Sequence, residues 1–390
     1  MTTASQSGRA AGRYDLAVVG AGVVGLAHAL AAARAGLRVV VIERNTRADG
    51  ASIRNFGFVT VTGQPREIWP LARRSRDVWA EVAPEAGIEI EHRGLVLFMR
   101  RPEALDVAEA FLATEMGAGC ELVDTGDLES RFPAIPAPTA LGALISPHEL
   151  RVDSPKALPK LQAWLEDRHG VDFRMGETVL AVEPPAITTS RGEIQADRAV
   201  VCPGDDFSGL FPDRIEGFAL KRCRLSMLQL ASPGFDWPAG VMSDLGLGRY
   251  RGYADLPEAE PLKRRLEAEQ PRHLANGVHL IAVQNADGTL VVGDSHHYGP
   301  LPPPFAPAEA EALILDEFEK ATGLAPPSVL ARWTGTYAVS DDRYVLVDAP
   351  SPATRLVIVT CGAGASISFA LAEQTIAELC GATVSTGACS

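Results

Sequence analysis

Long apolar runs are missing from this 390-residue chain. None approaches the ~18 residues needed to cross a bilayer, so no membrane-spanning helix is expected. Positive charge is scarce as well: 36 lysines and arginines face 49 aspartates and glutamates, a net charge of −13. That balance excludes a general nucleic-acid or anionic-membrane surface. It leaves room for a local basic pocket, because screening limits the reach of surface charge to about 8 Å. The six cysteines (Cys120, Cys202, Cys223, Cys361, Cys380 and Cys389) form no CxxC pair and no zinc spacing, so they read as reduced packing thiols rather than a disulfide framework. The first fourteen residues are small and polar and lack the apolar segment of a secretory signal. A loose tail and a soluble, cytoplasmic protein are therefore expected. What remains is a chain with 46% apolar residues, long enough to bury one large core or two linked ones.

Residues 15–44, DLAVVGAGVVGLAHALAAARAGLRVVVIER, carry the most information. An apolar strand from Leu16 to Val19 enters Gly20-Ala-Gly22-Val-Val-Gly25. An alanine-rich helix follows, then a second apolar strand, Val39 to Ile42, that ends on Glu43. Gly20 permits the tight turn, Gly22 lets the backbone approach a pyrophosphate, and Gly25 lets the helix lie close on the sheet. The helix start, at Val23 and Val24, offers free amides and a positive dipole to phosphates. Glu43 stands where a carboxylate can accept hydrogen bonds from a ribose diol. A bare GxGxxG is weak evidence, but here strand, turn, helix, strand and terminal acid are in register and predict a dinucleotide site.

Further along, a small-residue loop occupies 50–64. Helices are expected over 66–82, 102–116 and 154–170, and strands over 89–99, 178–183 and 197–202, the last running into Pro203-Gly204. Residues 218–300 alternate strands and loops, as a mainly antiparallel sheet would, and PLPPPFAPA (300–308) is a proline-rich connection. The stretch 355–379 repeats the opening logic of apolar strand, glycine turn and small-residue helix. Nucleotide-binding elements at the start, middle and end predict a discontinuous cofactor domain.

With these residues in view, the chain resembles the FAD-dependent D-amino-acid, glycine and sarcosine oxidases. The likeness rests on GAGVVG with VIER, ASIRNFG (51–57), ELRVDSPKALPKLQAW (149–164), ETVLAVE (177–183), VVCPG (200–204) and VTCGAGASISFALAE (359–373). It implies an α/β fold: a Rossmann-type, glutathione-reductase-like FAD-binding domain with an inserted α+β substrate domain built on a mainly antiparallel sheet. The boundaries expected are 14–75, 150–215 and 330–382 for the first, and 76–149 with 216–329 for the second. Residues 1–13 and 383–390 are expected to be flexible tails. The resemblance implies non-covalent FAD, with the Val179 backbone on adenine and Gly362 and Gly364, followed by Ala365 and Ser366, over the pyrimidine end of the flavin. Ala51, Ser52, Asn55, Phe56 and Gly57 would run along the pyrophosphate and under the ring, with Arg44, Pro203 and Gly204 beside them.

The strings GASIRNFG, SPHELRVD, KRCRLSMLQL, GDSHHYG and ARWTGTYA look in addition like a bacterial subgroup associated with aminophosphonate breakdown. This likeness implies oxidation of a small amine, 2-aminoethylphosphonate or an N-methyl or hydroxy derivative, with dioxygen or another electron acceptor as second partner. Glycine-oxidase-like members carry an arginine two residues after a Trp-x-Gly element; here Trp333-Thr-Gly335-Thr336 is followed by Tyr337. A phenol cannot supply the charged fork that clamps a carboxylate, so an anionic group must be met elsewhere. The cations available are Arg54, Lys221, Arg222, Arg224, Arg249, Arg251 and Arg332, with Arg54 favoured by its loop. Tyr337, Tyr250, His296 and His297 are the other candidate substrate residues. Neighbours on a strand face opposite ways, so one histidine of the pair at most faces the site. The pair lacks nearby further ligands, and no metal is expected. A glycine- or sarcosine-type oxidase, an NAD(P)H-fed flavin hydroxylase and a non-catalytic flavoprotein subunit stand as alternatives.

Overall fold

A computed structural model describes residues 12–381. The expected tails 1–13 and 383–390 therefore lie, Gly12 and Arg13 apart, outside the described residues. Two sheets organise the chain. The first has eight strands, with the path Val345–Ser351, Thr354–Val359, Gly192–Val201, Tyr14–Val19, Val39–Glu43 and Asp172–Met175; the hairpin Val179–Glu183 with Ala186–Thr189 joins it through Gly192–Val201. Its inner pairings are parallel. Parallel strands need cover on both faces, and the sequence supplies it. Leu16, Val18, Val39 and Val41 pack under the helices on one side. Ala17, Val40, Ile42 and Ala199 face a second cluster with Val179 and Ile358 on the other. That is why these strands read as continuous apolar runs rather than alternating ones.

The helix cover comes from far apart in sequence. Val23–Arg34, Trp69–Glu85, Ser154–His169 and Gly364–Leu379 share one core. Trp79 anchors the cover: its ring meets Phe369 edge-on at 5.0 Å, and its indole donates to the Ala365 carbonyl at 2.9 Å. Helix Ser154–His169 ends on Gly170, whose left-handed φ of 66° suits a residue without Cβ.

The second sheet has nine strands, following Val329–Val339, Lys221–Leu230, Leu290–Gly299, Ile281–Gln284, Gly240–Ser243, Ile90–Met99, Gly142–Val152 and Phe58–Val59, with Glu121–Val123 also on Gly142–Val152. All its pairings are antiparallel except Gly240–Ser243 on Ile90–Met99. One expectation needs amendment. Val329–Val339 is hydrogen-bonded along Lys221–Leu230 in this sheet, so the cofactor segment expected from residue 330 begins inside a strand of the other sheet. GDSHHYG forms the last part of the strand Leu290–Gly299, with a register shift opposite Ser226 and Met227.

Candidate cofactor and substrate site

Residues of both sheets line one cavity of about 670 Å³. The three glycine-bearing turns meet on its wall. At the first, Gly20 (φ 103°) turns the chain, and its amide is held by the Ile42 carbonyl at 2.8 Å. Glu43 accepts from the Ala21 and Asn45 amides, each at 2.9 Å, so the strand-end acid braces the turn. Gly22 is the helix cap without a side-chain partner of its own; Ser52 Oγ accepts the Val23 amide at 3.0 Å. The amides of Val24 and Gly25 are left free by helix geometry, and both residues line the cavity. Pro203 and Gly204 follow the middle strand, and Gly362 to Ser366 open the last helix onto the same space.

The early loop closes over this wall. Asn55 ties it together through Ala51 and Ser52 carbonyls and the Gly57 amide. The Trp333 indole donates to the Arg54 carbonyl at 3.2 Å, and a Cβ on Gly335 would stand 3.0 Å from that same oxygen. The Trp-Thr-Gly element thus packs on the loop. Tyr337 lies against Gly362, its ring 3.0 Å from where a Cβ would be. No residue with a side chain fits there without displacement. A dinucleotide with a ring system suits these donors: bare helix N-termini for phosphate, an acid at a strand end for a ribose, and glycines where backbone must come close.

The opposite end of the cavity is polar, half-exposed at Tyr298 and buried at Asp294, His279 and His296. Arg249 donates to the Tyr298 hydroxyl at 2.7 Å. The lining holds four arginines; Arg44, Arg54 and Arg251 pair with Asp206, Asp49 and Asp255. Arg249 has no carboxylate partner among the described residues. Behind it, the Tyr250 hydroxyl meets His279 Nε2 at 2.9 Å, and His279 Nδ1 is 3.2 Å from Asp294 Oδ1. His296 Nε2 is 3.6 Å from Asp294 Oδ2, while its Nδ1 bonds the Gly277 carbonyl at 2.9 Å. Burial pushes the Asp294 carboxyl up to about 8, opposed by Arg249. Burial, reinforced by Arg249, holds both histidines well below their usual range.

Of the expected site residues, Gly57 and His297 are not on the cavity wall. Gly57 (φ 65°) is where the loop crosses a strand: a Cβ would stand 1.7 Å from the Val152 carbonyl oxygen. His297 alternates to the other strand face, beside Arg224; His296 is the one that faces the site. Arg222 and Arg224, two of the candidate cations, are taken up by backbone carbonyls. Arg222 donates to the carbonyls of Asp205 and Pro300, and Arg224 to those of Pro303 and Phe305. Lys221 and Arg332 are engaged by Asp341 and Glu311, and Arg54 by Asp49. Sequence reasoning missed His279 and Asp294. The signal was present in Asp294-x-His296-x-Tyr298, three polar residues on one strand face. The ligand-type atoms of His279, Asp294 and His296 lie within 4.8 Å of one another, although His296 was expected to lack neighbouring ligands.

Comparison with known proteins bears on both ends of the cavity. A family model described as FAD dependent oxidoreductase (DAO) matches residues 15–379. Monomeric sarcosine oxidase of Bacillus sp. (strain B-0618) is 25% identical over 204 residues, 49% of this chain and 51% of that protein. Glycine oxidase of Geobacillus kaustophilus (strain HTA426) is 28% identical over 154 residues, 37% of this chain and 41% of its own length. The chain thus spans about half the length, or less, of these curated relatives. In fold the likeness is complete: the glycine oxidase structure from Geobacillus kaustophilus matches at a TM-score of 0.75 and 18% identity, covering 96% of both chains. L-proline dehydrogenase from P. horikoshii matches at 0.76 and 15% identity, covering 95% of both. No helix among the described residues is long and apolar enough to cross a membrane.

Proposed function

The chain belongs to the DAO family of FAD-dependent oxidoreductases, and from that membership we propose that it oxidises the C–N bond of a small amine bearing an anionic group. The substrate class is an aminophosphonate, 2-aminoethylphosphonate or an N-methyl or hydroxy derivative. The observation that carries the reading is Arg249, a cation on the cavity wall that forms no ion pair with any described carboxylate and feels Asp294 only at longer range. A partly buried guanidinium without an ion-pair partner gains from a counter-charge, and an anionic substrate supplies one. In this reading residues 14–75, 150–215 and 340–382 hold the cofactor, and 76–149 with 216–339 hold the substrate.

When bound, FAD supplies the two-electron acceptor for the hydride leaving the carbon next to nitrogen, and passes the electrons to dioxygen or another acceptor. The chain's own residues do the rest. Gly20, Gly22 and the free amides of the first helix hold the diphosphate, Glu43 a ribose, and Gly362 to Ser366 the ring end. Arg249, oriented by Tyr298, fixes the substrate anion and so the position of its reacting carbon. Tyr337 and Phe56 line the space between and exclude water. The imine released then hydrolyses to a carbonyl compound and an amine or ammonia.

A second reading, a glycine- or sarcosine-type oxidase, is favoured by the names of the curated relatives; Arg249 would then hold a carboxylate. An anaerobic flavin-bleaching screen separates them. 2-Aminoethylphosphonate or its N-methyl or 1-hydroxy form should reduce the flavin faster than glycine or sarcosine. Faster reduction by glycine or sarcosine rejects the phosphonate assignment and leaves the second reading.

A further inference from the structure

The polar end of the cavity has a feature that an anion site does not explain: a buried carboxyl group stands between two imidazoles, and one of its oxygens has no hydrogen-bond partner. His296 Nδ1 must carry its proton, because its partner at 2.9 Å is the Gly277 carbonyl. Its Nε2 therefore presents a lone pair, 3.6 Å from Asp294 Oδ2. His279 Nε2 bonds the Tyr250 hydroxyl; its Nδ1 lies 3.2 Å from Asp294 Oδ1, and neither of those two buried atoms completes a well-formed hydrogen bond. Asp294, His279 and His296 are 3%, 2% and 8% exposed, yet all three line the cavity. Leaving such groups unpaired is expensive, so the cluster is built to receive something that donates or carries positive charge.

We infer that Asp294, with His279 and His296 beside it, is the subsite that receives the substrate's ammonium group and takes one proton from it. This rests on the proposed amine substrate and extends it. The N–H bond of the ammonium breaks and an O–H bond forms on Asp294; the amine is left neutral, with the lone pair that hydride loss requires. His279, through Nδ1 beside Asp294 Oδ1, positions the carboxyl group, and the His296 Nε2 lone pair accepts a remaining N–H. Arg249 faces the same cluster, and it decides between occupants. A divalent metal ion beside an unpaired guanidinium is repelled, whereas a substrate with one ammonium and one anionic group satisfies both ends at once. The other groups facing the cluster are Tyr250 from the loop, Tyr298 on the same strand, and Tyr337 with Cys223 on the neighbouring strands. A carboxyl that burial pushes up to about 8 is matched to accepting a proton near neutral pH.

The test uses the FAD-loaded enzyme and two probes, 2-aminoethylphosphonate and ethylphosphonate, titrated by their perturbation of the flavin spectrum. The amine should bind at least tenfold tighter than its amine-free analogue, with the advantage growing as pH rises through about 8. In Asp294→Asn the two should bind alike, while flavin content is kept. With whichever amine bleaches the wild type, Asp294→Asn should slow flavin reduction roughly 100-fold or more and lose the limb near pH 8. Dithionite reduction should be unaffected. If Asp294→Asn does not fold, His296→Gln serves, with the same binding preference diminished. Equal affinity for the two probes in the wild type, including no binding of either, overturns the inference. So does a stoichiometric divalent metal in the purified enzyme that disappears in Asp294→Asn. Failure of every amine to bleach the flavin would reject the proposed activity, while the probe titration would still decide the ammonium subsite.

Discussion

Replacing Gly25 by alanine tests the central piece of geometry, the approach of the first helix to the first turn. A Cβ there would stand 1.9 Å from the Gly20 carbonyl oxygen and 2.9 Å from its carbon, where ordinary contact begins at 3.4 Å. Either helix or turn must retreat by about 1.5 Å. Neither is free to do so. The turn is held by Ile42 and Glu43, and the helix is packed in one core with Ser154–His169 and Gly364–Leu379. Overpacking of this kind costs ~1–3 kcal/mol, and the displaced amides no longer meet a diphosphate. Gly22→Ala is the matched control: its φ of −70° and ψ of 175° suit alanine, and the new Cβ meets only Ser52 Oγ at 3.1 Å. The FAD-free Gly22→Ala protein should melt within about 1 kcal/mol of wild type yet purify with little flavin. Gly25→Ala should lose both stability and flavin. Flavin-to-protein absorbance after gel filtration and thermal melts of the stripped proteins are the assays. An unchanged melt for Gly25→Ala refutes the close approach, and full flavin in Gly22→Ala refutes the placement of the diphosphate.

Arg249→Met should raise the half-saturation concentration for an anionic amine ten- to a hundredfold, the value of a lost charged hydrogen bond at about 1.5–3 kcal/mol. Flavin content and turnover of a neutral amine should not change; an equal loss with a neutral amine would reject the anion role. Asp244 and Glu317 are fully buried and bind Arg100 and Arg101, with Gln270 bridging to Glu317. Asp244→Ala should destabilise by roughly 3–5 kcal/mol, because two guanidiniums lose a shared partner; denaturant unfolding measures it, and a cost below about 1 kcal/mol would contradict the network. His28 is buried with its Nδ1 on the Val24 carbonyl at 2.7 Å, and burial lowers its pKa to about 4. The unfolded chain takes the proton first, so this contribution is intact above pH 6.5 and declines as pH falls towards 4. Between pH 7 and 5 the loss is about 2 kcal/mol, and His28→Gln should flatten the slope of stability against pH over that interval.

What could be read from the chain followed the range of the forces involved. The first nucleotide-binding unit is local: a glycine turn, two strands buried on both faces and an acid at a strand end lie within thirty residues, and each leaves its own mark. Gly293 and Asp294 are poor strand residues, yet both lie inside the strand Leu290–Gly299. The structure keeps both by shifting register opposite Ser226 and Met227. His279 and Asp294 meet only because their backbones pair before Ile281–Gln284 begins, a matter of register that no window of sequence reveals. Arg222 and Arg224 show the converse. Their shared strand face was correctly inferred, but both guanidiniums are consumed by carbonyls of the 300–305 loop, whose path depends on the whole sheet.

The charge economy of the cavity links Tyr337 to Arg249. Tyr337 occupies the position where the resemblance led to an arginine, and its ring fills the space beside Gly362. Arg249 stands close enough for the two side chains to sense one another electrostatically. A guanidinium at 337 would put two buried cations in one pocket with no acid but Asp294 near them, and like charges there repel without solvent to screen them. In the proposed reading the cation has moved from the strand to the turn that precedes Arg251 rather than vanished. The anion is then drawn towards Tyr298 and the mouth, and the ammonium is left to Asp294 and its histidines. The distance between substrate charges becomes the property the pocket selects.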